Sequence, residues 1–244
     1  MKHLILLAGL ALGVKGLRAQ GIAASTVSLG GSVRYYNSSN TSNNTANSSQ
    51  YPYSNYSSEN SGNQFVGMPA VSYFVADNLA VGLNFSVSAV HQNTTQRTNA
   101  GAIAVLHDDI KIKTLSIGPF VQYYKMLIPQ LGLTGQLGAG YQRIHDIRAS
   151  SQDIPVYYAG YAESTGSGYY VDLTPGIIFL PIPRFGLSTS VGSLSFNRSH
   201  STGFSSYSTG GYTSERASDT KANNFGARFG LDYLVFGGTY YFGR

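Results

Sequence analysis

The feature that most limits what this chain can fold into is a strict period-two alternation. Over residues 79–89, Leu79, Val81, Leu83, Phe85, Val87 and Ala89 fall on one side, and Ala80, Gly82, Asn84, Ser86 and Ser88 on the other. An extended chain turns successive side chains to opposite faces, so this is a strand with one apolar and one small polar face. Eight such stretches occur: residues 26–36, 64–74, 79–90, 113–124, 131–143, 169–180, 186–196 and 225–242. A soluble barrel turns its apolar face inward. A wall whose inner faces are Gly, Ser, Thr, Asn and Gln cannot, so the apolar side is expected to meet lipid.

The connectors support the same architecture. Residues 75–78, 125–130 and 181–185 are short and carry Asp77-Asn78, Pro129, Pro181 and Pro183, all turn formers. Residues 37–63, 91–112, 144–168 and 197–224 are each about 22–28 long and polar, and they strictly alternate with the short ones. In an up-and-down barrel alternate connectors emerge at one end. The expectation is therefore an all-β, eight-stranded antiparallel up-and-down transmembrane β-barrel, with four long polar loops on one side and both termini beside the turns. The tract at 38–49 is almost wholly Ser, Asn and Thr, which reads as a mobile loop. Interleaved Tyr at 51–56 and 199–213 allows a contact surface for an extracellular ligand.

Residues 1–19 read as a signal peptide: Lys2 and His3, an apolar run at 4–14 too short to span a bilayer, then Leu17-Arg18-Ala19 as the cleavage site. Residues 20–244 are then a single barrel domain, exported and without a membrane-spanning helix. The chain has 16 Lys and Arg against 11 Asp and Glu, but Lys2, Lys15 and Arg18 leave with the leader. The remaining excess of about two cations, without a basic run, argues against nucleic acid as a partner. Charged residues are only 11% of the chain, less than half the usual share of soluble domains, as suits a lipid-embedded wall. Cysteine is absent, which excludes disulfides, thiolate metal sites and thiol nucleophiles.

Tyrosines crowd the strand ends (Tyr35, Tyr36, Tyr73, Tyr123, Tyr124, Tyr141, Tyr169, Tyr170, Tyr240, Tyr241), where two interfacial girdles are expected. The few strand charges fall on the inner face. Arg34, Asn84, Gln122, Gln136, Asp172, Arg228 and Asp232 are expected to form a polar interior network, since charges out of bulk water need partners. Eight strands enclose a space that side chains can fill, so a closed polar core is the first reading and a narrow water or ion path the second. In the last stretch the apolar phase inverts between Phe229 and Phe236, which predicts a bulge near Tyr233.

The pattern, and the aromatic-rich final strand with Phe236, Tyr240 and Phe242, resembles the small outer-membrane β-barrels of the OmpA/OmpX-like kind in Gram-negative bacteria. The resemblance implies that Phe236, Tyr240 and Phe242 form the recognition signal for the outer-membrane assembly machinery. Gly243 and Arg244 follow where such strands usually end in an aromatic residue. The Ala19-Gln20 cleavage style and the Asn- and Tyr-rich loops look like those of the Bacteroidetes group. The resemblance further implies a monomer in the bacterial outer membrane, whose partners are outer-membrane lipid and the assembly machinery, with no cofactor.

Catalysis has one candidate. Arg198-Ser-His200-Ser-Thr202 with Glu215 is faintly similar to the His–Ser–Glu arrangement of barrel lipid A deacylases. The hydroxyl two places after His200 is Thr202 rather than Ser, so no enzyme activity is expected. His107-Asp108-Asp109 is a charge cluster with at most weak affinity for a cation, and no metal site is expected. The functions left are a structural or surface-interaction barrel, and, as alternative, a small porin.

Overall fold

The computed structural model describes residues 21–46, 54–99, 103–153, 158–230 and 233–243. The expected leader at 1–19 and Asp232 lie outside the described residues. The strands are β1 (Val27–Ala46), β2 (Ser54–Ala76), β3 (Leu79–Asn99), β4 (Ile103–Ile128), β5 (Leu131–Asp153), β6 (Tyr158–Ile182), β7 (Phe185–Ser190), β8 (Gly192–Thr209), β9 (Tyr212–Phe229) and β10 (Val235–Phe242).

Consecutive strands from β1 to β7 pair antiparallel; β10 then joins β7 to β1 and closes a ring of eight. β8 and β9 form a hairpin that continues the wall upward from β6. The two last expected strands are therefore each broken in two. Between β7 and β8 the break is a bulge. The pairing of β6 moves from Gly176 to Leu173 while its partner moves from Ser190 to Leu194, so one extra residue is inserted. Gly192 takes it up with φ +144°, and a Cβ there would stand 1.9 Å from the carbonyl oxygen of Arg228. Between β9 and β10 the described residues Gly230, Tyr233 and Leu234 stand outside the ladder. Asn224, Gly226 and Arg228 face the interior before it, and Phe236, Tyr240 and Phe242 are outward and exposed after it. The phase inverts as expected, but through an interruption longer than a bulge.

The described parts of the four long connectors are strand rather than loop; residues 47–53, within the expected mobile tract and the Tyr-rich stretch, lie outside the described residues. β1 and β2 stay in register from Val27↔Tyr73 up to Ala46↔Ser54. β3 and β4 pair as far as Asn99↔Ile103, β5 and β6 as far as Gln152↔Tyr158, and β8 and β9 as far as Thr209↔Tyr212. Ser, Thr and Asn tracts cannot nucleate a fold by burying apolar surface. They can prolong a ladder whose register the wall below has already fixed, because every backbone amide and carbonyl still finds a partner. The result is four polar hairpin arms.

The packed core sits at the turn end. Ile22, Phe74, Ala80, Tyr124, Ile178, Leu180 and Tyr241 form one buried cluster. The Phe74 ring lies 5.4 Å from that of Tyr124 and 6.1 Å from that of Tyr241. Ile22 is held there by its own backbone: its N–H donates to Asn78 Oδ1 at 2.9 Å, and its carbonyl accepts from the Asn78 N–H at 2.9 Å. Asn78 occupies the left-handed region (φ 64°), where Asn is among the best tolerated residues, in the expected Asp-Asn turn.

Candidate functional site

The outer surface of the wall is a continuous apolar belt. Leu29, Val33, Leu83, Ile117, Leu137, Tyr169 and Phe236 are each more than half exposed. On β4 the outward positions Leu115, Ile117, Val121 and Tyr123 separate Lys113 from Lys125. Those twelve residues cover about 40 Å of strand, or about 30 Å of height at the usual tilt of a barrel strand. A patch encircling the molecule at that scale far exceeds the few hundred Å² that water-soluble monomers leave exposed.

The register shows the slope of the strands. Tyr35, Phe65, Ala89, Lys113 and His145 lie in one row of ladder partners. The aromatic residue of β5 is Tyr141, four residues below His145, so the aromatic line falls by about one residue per strand. It continues through Tyr169, in ring contact with Tyr141 at 5.8 Å, and on to the Phe196↔Phe225 pair. Of the tyrosines assigned to the girdles, Tyr36 shares the inner parity of Arg34, and three more face inward within the closed ring. Tyr124 and Tyr241 belong to the buried cluster, and Tyr170 lines the lumen. In a Tyr-Tyr pair the alternation of a strand sends one ring out and the other in.

Above the buried cluster the barrel holds a polar cavity of about 720 Å³. Arg34, Asn84, Gln122, Gln136, Asp172 and Arg228 all line it. They do not form one network. Arg34 donates to Gln64 Oε1 at 2.6 Å, Thr174 Oγ1 donates to Asp172 at 3.3 Å, and Tyr124 Oη donates to Gln122 at 2.9 Å. Among the described residues neither arginine pairs with Asp172, and Arg34 Nε is buried with no partner. Arg34 is engaged with Gln64 on the neighbouring strand instead, and the expected ion pairs inside are not made. One bond does cross: Tyr170 Oη donates to Asn84 Oδ1 at 3.3 Å, from β6 to β3. Gly140 makes room for it, since a Cβ there would lie 2.7 Å from the Tyr170 hydroxyl and 2.4 Å from the Ile117 carbonyl.

The cavity is closed at the turn end, where Tyr124 lies between it and the fully buried Ile22, Phe74 and Tyr241. Sequence reasoning missed this apolar plug because Ile22 carries no periodic signal, and Phe74 and Ala80 read as the polar-side positions of their strands. At the other end the ring is incomplete. The β1–β10 ladder covers the apolar run Val27–Val33 and stops two residues below Tyr35. From there upward, among the described residues, neither β1 nor β9 has a second partner strand. Unpaired backbone groups are costly in hydrocarbon and cheap in water. Closure therefore ends close to where the belt ends.

The other candidates are dispersed. Phe236, Tyr240 and Phe242 are outward on β10, with the Tyr240 and Phe242 rings 4.9 Å apart. His200 pairs with Asp219, not Glu215, at 2.8 Å, and no hydroxyl among the described residues bonds to it. Alternation separates Asp108 from His107 and Asp109. Asp109 is occupied by His91 and Lys111, each at 2.7 Å, and no metal-ligand cluster occurs among the described residues. The hydrogen bond from Lys111 does most to hold the Asp109 carboxyl below its usual value; burial, next in size, opposes it, and the hydrogen bond with His91 adds a smaller lowering.

Neither a protein-family model nor a curated protein matches the chain. Among solved structures it is similar to the crystal structure of the outer membrane protein OprG from Pseudomonas aeruginosa. The two are 14% identical, the match covers 91% of this chain and 98% of that one, and the TM-score is 0.38. The likeness is too slight to establish a fold or a function.

Proposed function

We propose that this chain is a bacterial outer-membrane β-barrel that displays four polar hairpin arms outside the cell, without conducting solutes and without catalysis. The observation that carries the membrane reading is the exposed apolar belt on a closed antiparallel ring with a polar interior. In water such a wall is inside out; in hydrocarbon it satisfies both its side chains and its backbone. The apolar plug at the turn end supports the non-conducting role. Phe236, Tyr240 and Phe242 serve as the signal to the assembly machinery, and the OmpA/OmpX-like, Bacteroidetes-type affiliation belongs to the same reading.

A small porin is the second reading, favoured by the 720 Å³ cavity. Planar-bilayer recording of the purified protein separates the two. The display reading expects no steady single-channel current, and a reproducible unitary conductance sinks it. Cell fractionation tests the location: recovery in the soluble periplasmic fraction defeats the membrane reading itself.

A further inference from the structure

The outer wall carries cations just above the upper aromatic line, and on one side only. On β1 and β2 the first outward positions above Tyr35 and Phe65 are Asn37, Ser39, Asn63 and Ser61, all uncharged. On the opposite side stand Lys113 (β4), Arg143 (β5), Arg198 (β8) and Lys221 (β9), all exposed. Among the described residues none of the four has an ion-pair partner. The nearby acids are already taken. Asp109 holds Lys111 and His91, Asp219 holds His200 at 2.8 Å, and Glu163 accepts from Tyr161 at 2.7 Å and faces His145 at 3.6 Å.

The register makes one patch of the four. Lys113 lies next on its face to Leu115, whose ladder partner is Arg143. Arg143 faces Ser167, Ser167 faces His200, and His200 faces Lys221; Arg198 stands opposite Tyr169. The four lie on a run of five adjacent strands, whose outer two are four spacings or about 19 Å apart. Arg143 is two residues above Tyr141, and Arg198 two above Phe196, within about 5 Å of height of the aromatic line. Aromatic residues mark the headgroup level of a bilayer. Arg143 and Arg198, unpaired and held at that level on long apolar stems, face the layer where lipid phosphates lie, with Lys221 two residues higher on its strand than they are on theirs.

We propose that this face binds the phosphate groups of an anionic outer-leaflet lipid carrying more than one phosphate. Arg143 and Arg198 provide forked contacts, and Lys113 and Lys221 point charges. The proposal rests on the membrane reading above. Its occupant is a bilayer lipid rather than free phosphate because the patch sits on the outside of the wall, contiguous with the apolar belt. In the arms above it several charges are paired, as Arg97 is with Glu59 at 3.1 Å.

The test uses full-length mature protein in non-ionic detergent micelles, supplied with bis-phosphorylated lipid A or with the same lipid stripped of its phosphates. Bound lipid is counted by native mass spectrometry. Retention of the phosphorylated lipid alone is expected, unaffected by millimolar inorganic phosphate. At about five-fold per cation near a charged surface, Arg143→Gln with Arg198→Gln weakens retention roughly 30-fold. Lys125→Gln with Arg216→Gln, which removes the same charge elsewhere, changes it less than three-fold. Equal retention of both lipids, equal effects of the two double variants, or displacement by inorganic phosphate overturns the proposal. Should the first double variant not fold, the comparison of the two lipids on the wild-type protein still decides. Failure of the wild-type protein to enter micelles or vesicles at all defeats the membrane reading instead.

Discussion

Replacing Leu83 by arginine separates a lipid-facing wall from a water-facing one. Leu83 is 55% exposed and lies opposite Pro119. Pro119 is midway between Lys113 and Lys125, six residues from each, or about 15 Å of height from either charged level. If the belt meets hydrocarbon, the new guanidinium sits near the bilayer midplane, where such a substitution costs about 2–4 kcal/mol. That is roughly 30- to 700-fold in the folding constant, since each 1.4 kcal/mol is ten-fold. If the belt meets water, an exposed Leu→Arg change stays within about 0.5 kcal/mol. Asn93→Arg is the internal control. It lies on the same strand and the same face, ten residues higher, in the polar arm. The assay is urea unfolding in phosphatidylcholine vesicles, followed by circular dichroism and gel mobility because the chain has no tryptophan. Equal midpoints for the two variants refute the reasoning.

Other substitutions test the interior and the arms. Phe74→Ala removes a fully buried ring from the plug, costing about 3–5 kcal/mol, and opens the turn end so that conductance appears in a bilayer where the wild type shows none. Gly140→Ala pushes a Cβ to 2.4 Å from the Ile117 carbonyl, so the β4–β5 ladder must shift; a loss of about 1–3 kcal/mol is expected in the same unfolding assay. The arm stability is pH-dependent through Asp109. Its carboxyl is held below the usual value of 3.8, so its contribution is complete above that pH and is lost as pH falls through the lower folded value. Amide exchange in the arm formed by β3 and β4 therefore accelerates in acid for the wild type, and Asp109→Asn abolishes that dependence locally.

The alternation made the wall legible because each strand needs only its own residues to declare two faces. Leu83 and Phe85 face out, Asn84 and Ser86 face in, and ladder pairing then leaves little freedom. The arms were not legible for the same reason in reverse. A tract such as 38–46 has no face to bury, and its strand conformation comes from the ladder below it rather than from its own composition. The plug was hidden because it assembles Ile22, Phe74, Tyr124 and Tyr241 from four separate segments. The six described residues of the expected interior network were placed by parity alone. Parity gives the side of a wall but not reach, and their charged groups stay apart across the lumen.

The phase of solvent contact along β3 tests the central claim most directly. The chain has no cysteine, so single cysteines from Leu79 to Val90 can each carry a nitroxide label in reconstituted vesicles. Labels at 81, 83, 85 and 87 are expected to collide freely with oxygen dissolved in lipid, and those at 82, 84, 86 and 88 much less. A profile with the opposite phase, or one in which water-soluble relaxers reach 83 and 85, contradicts a wall that turns its apolar side to the bilayer.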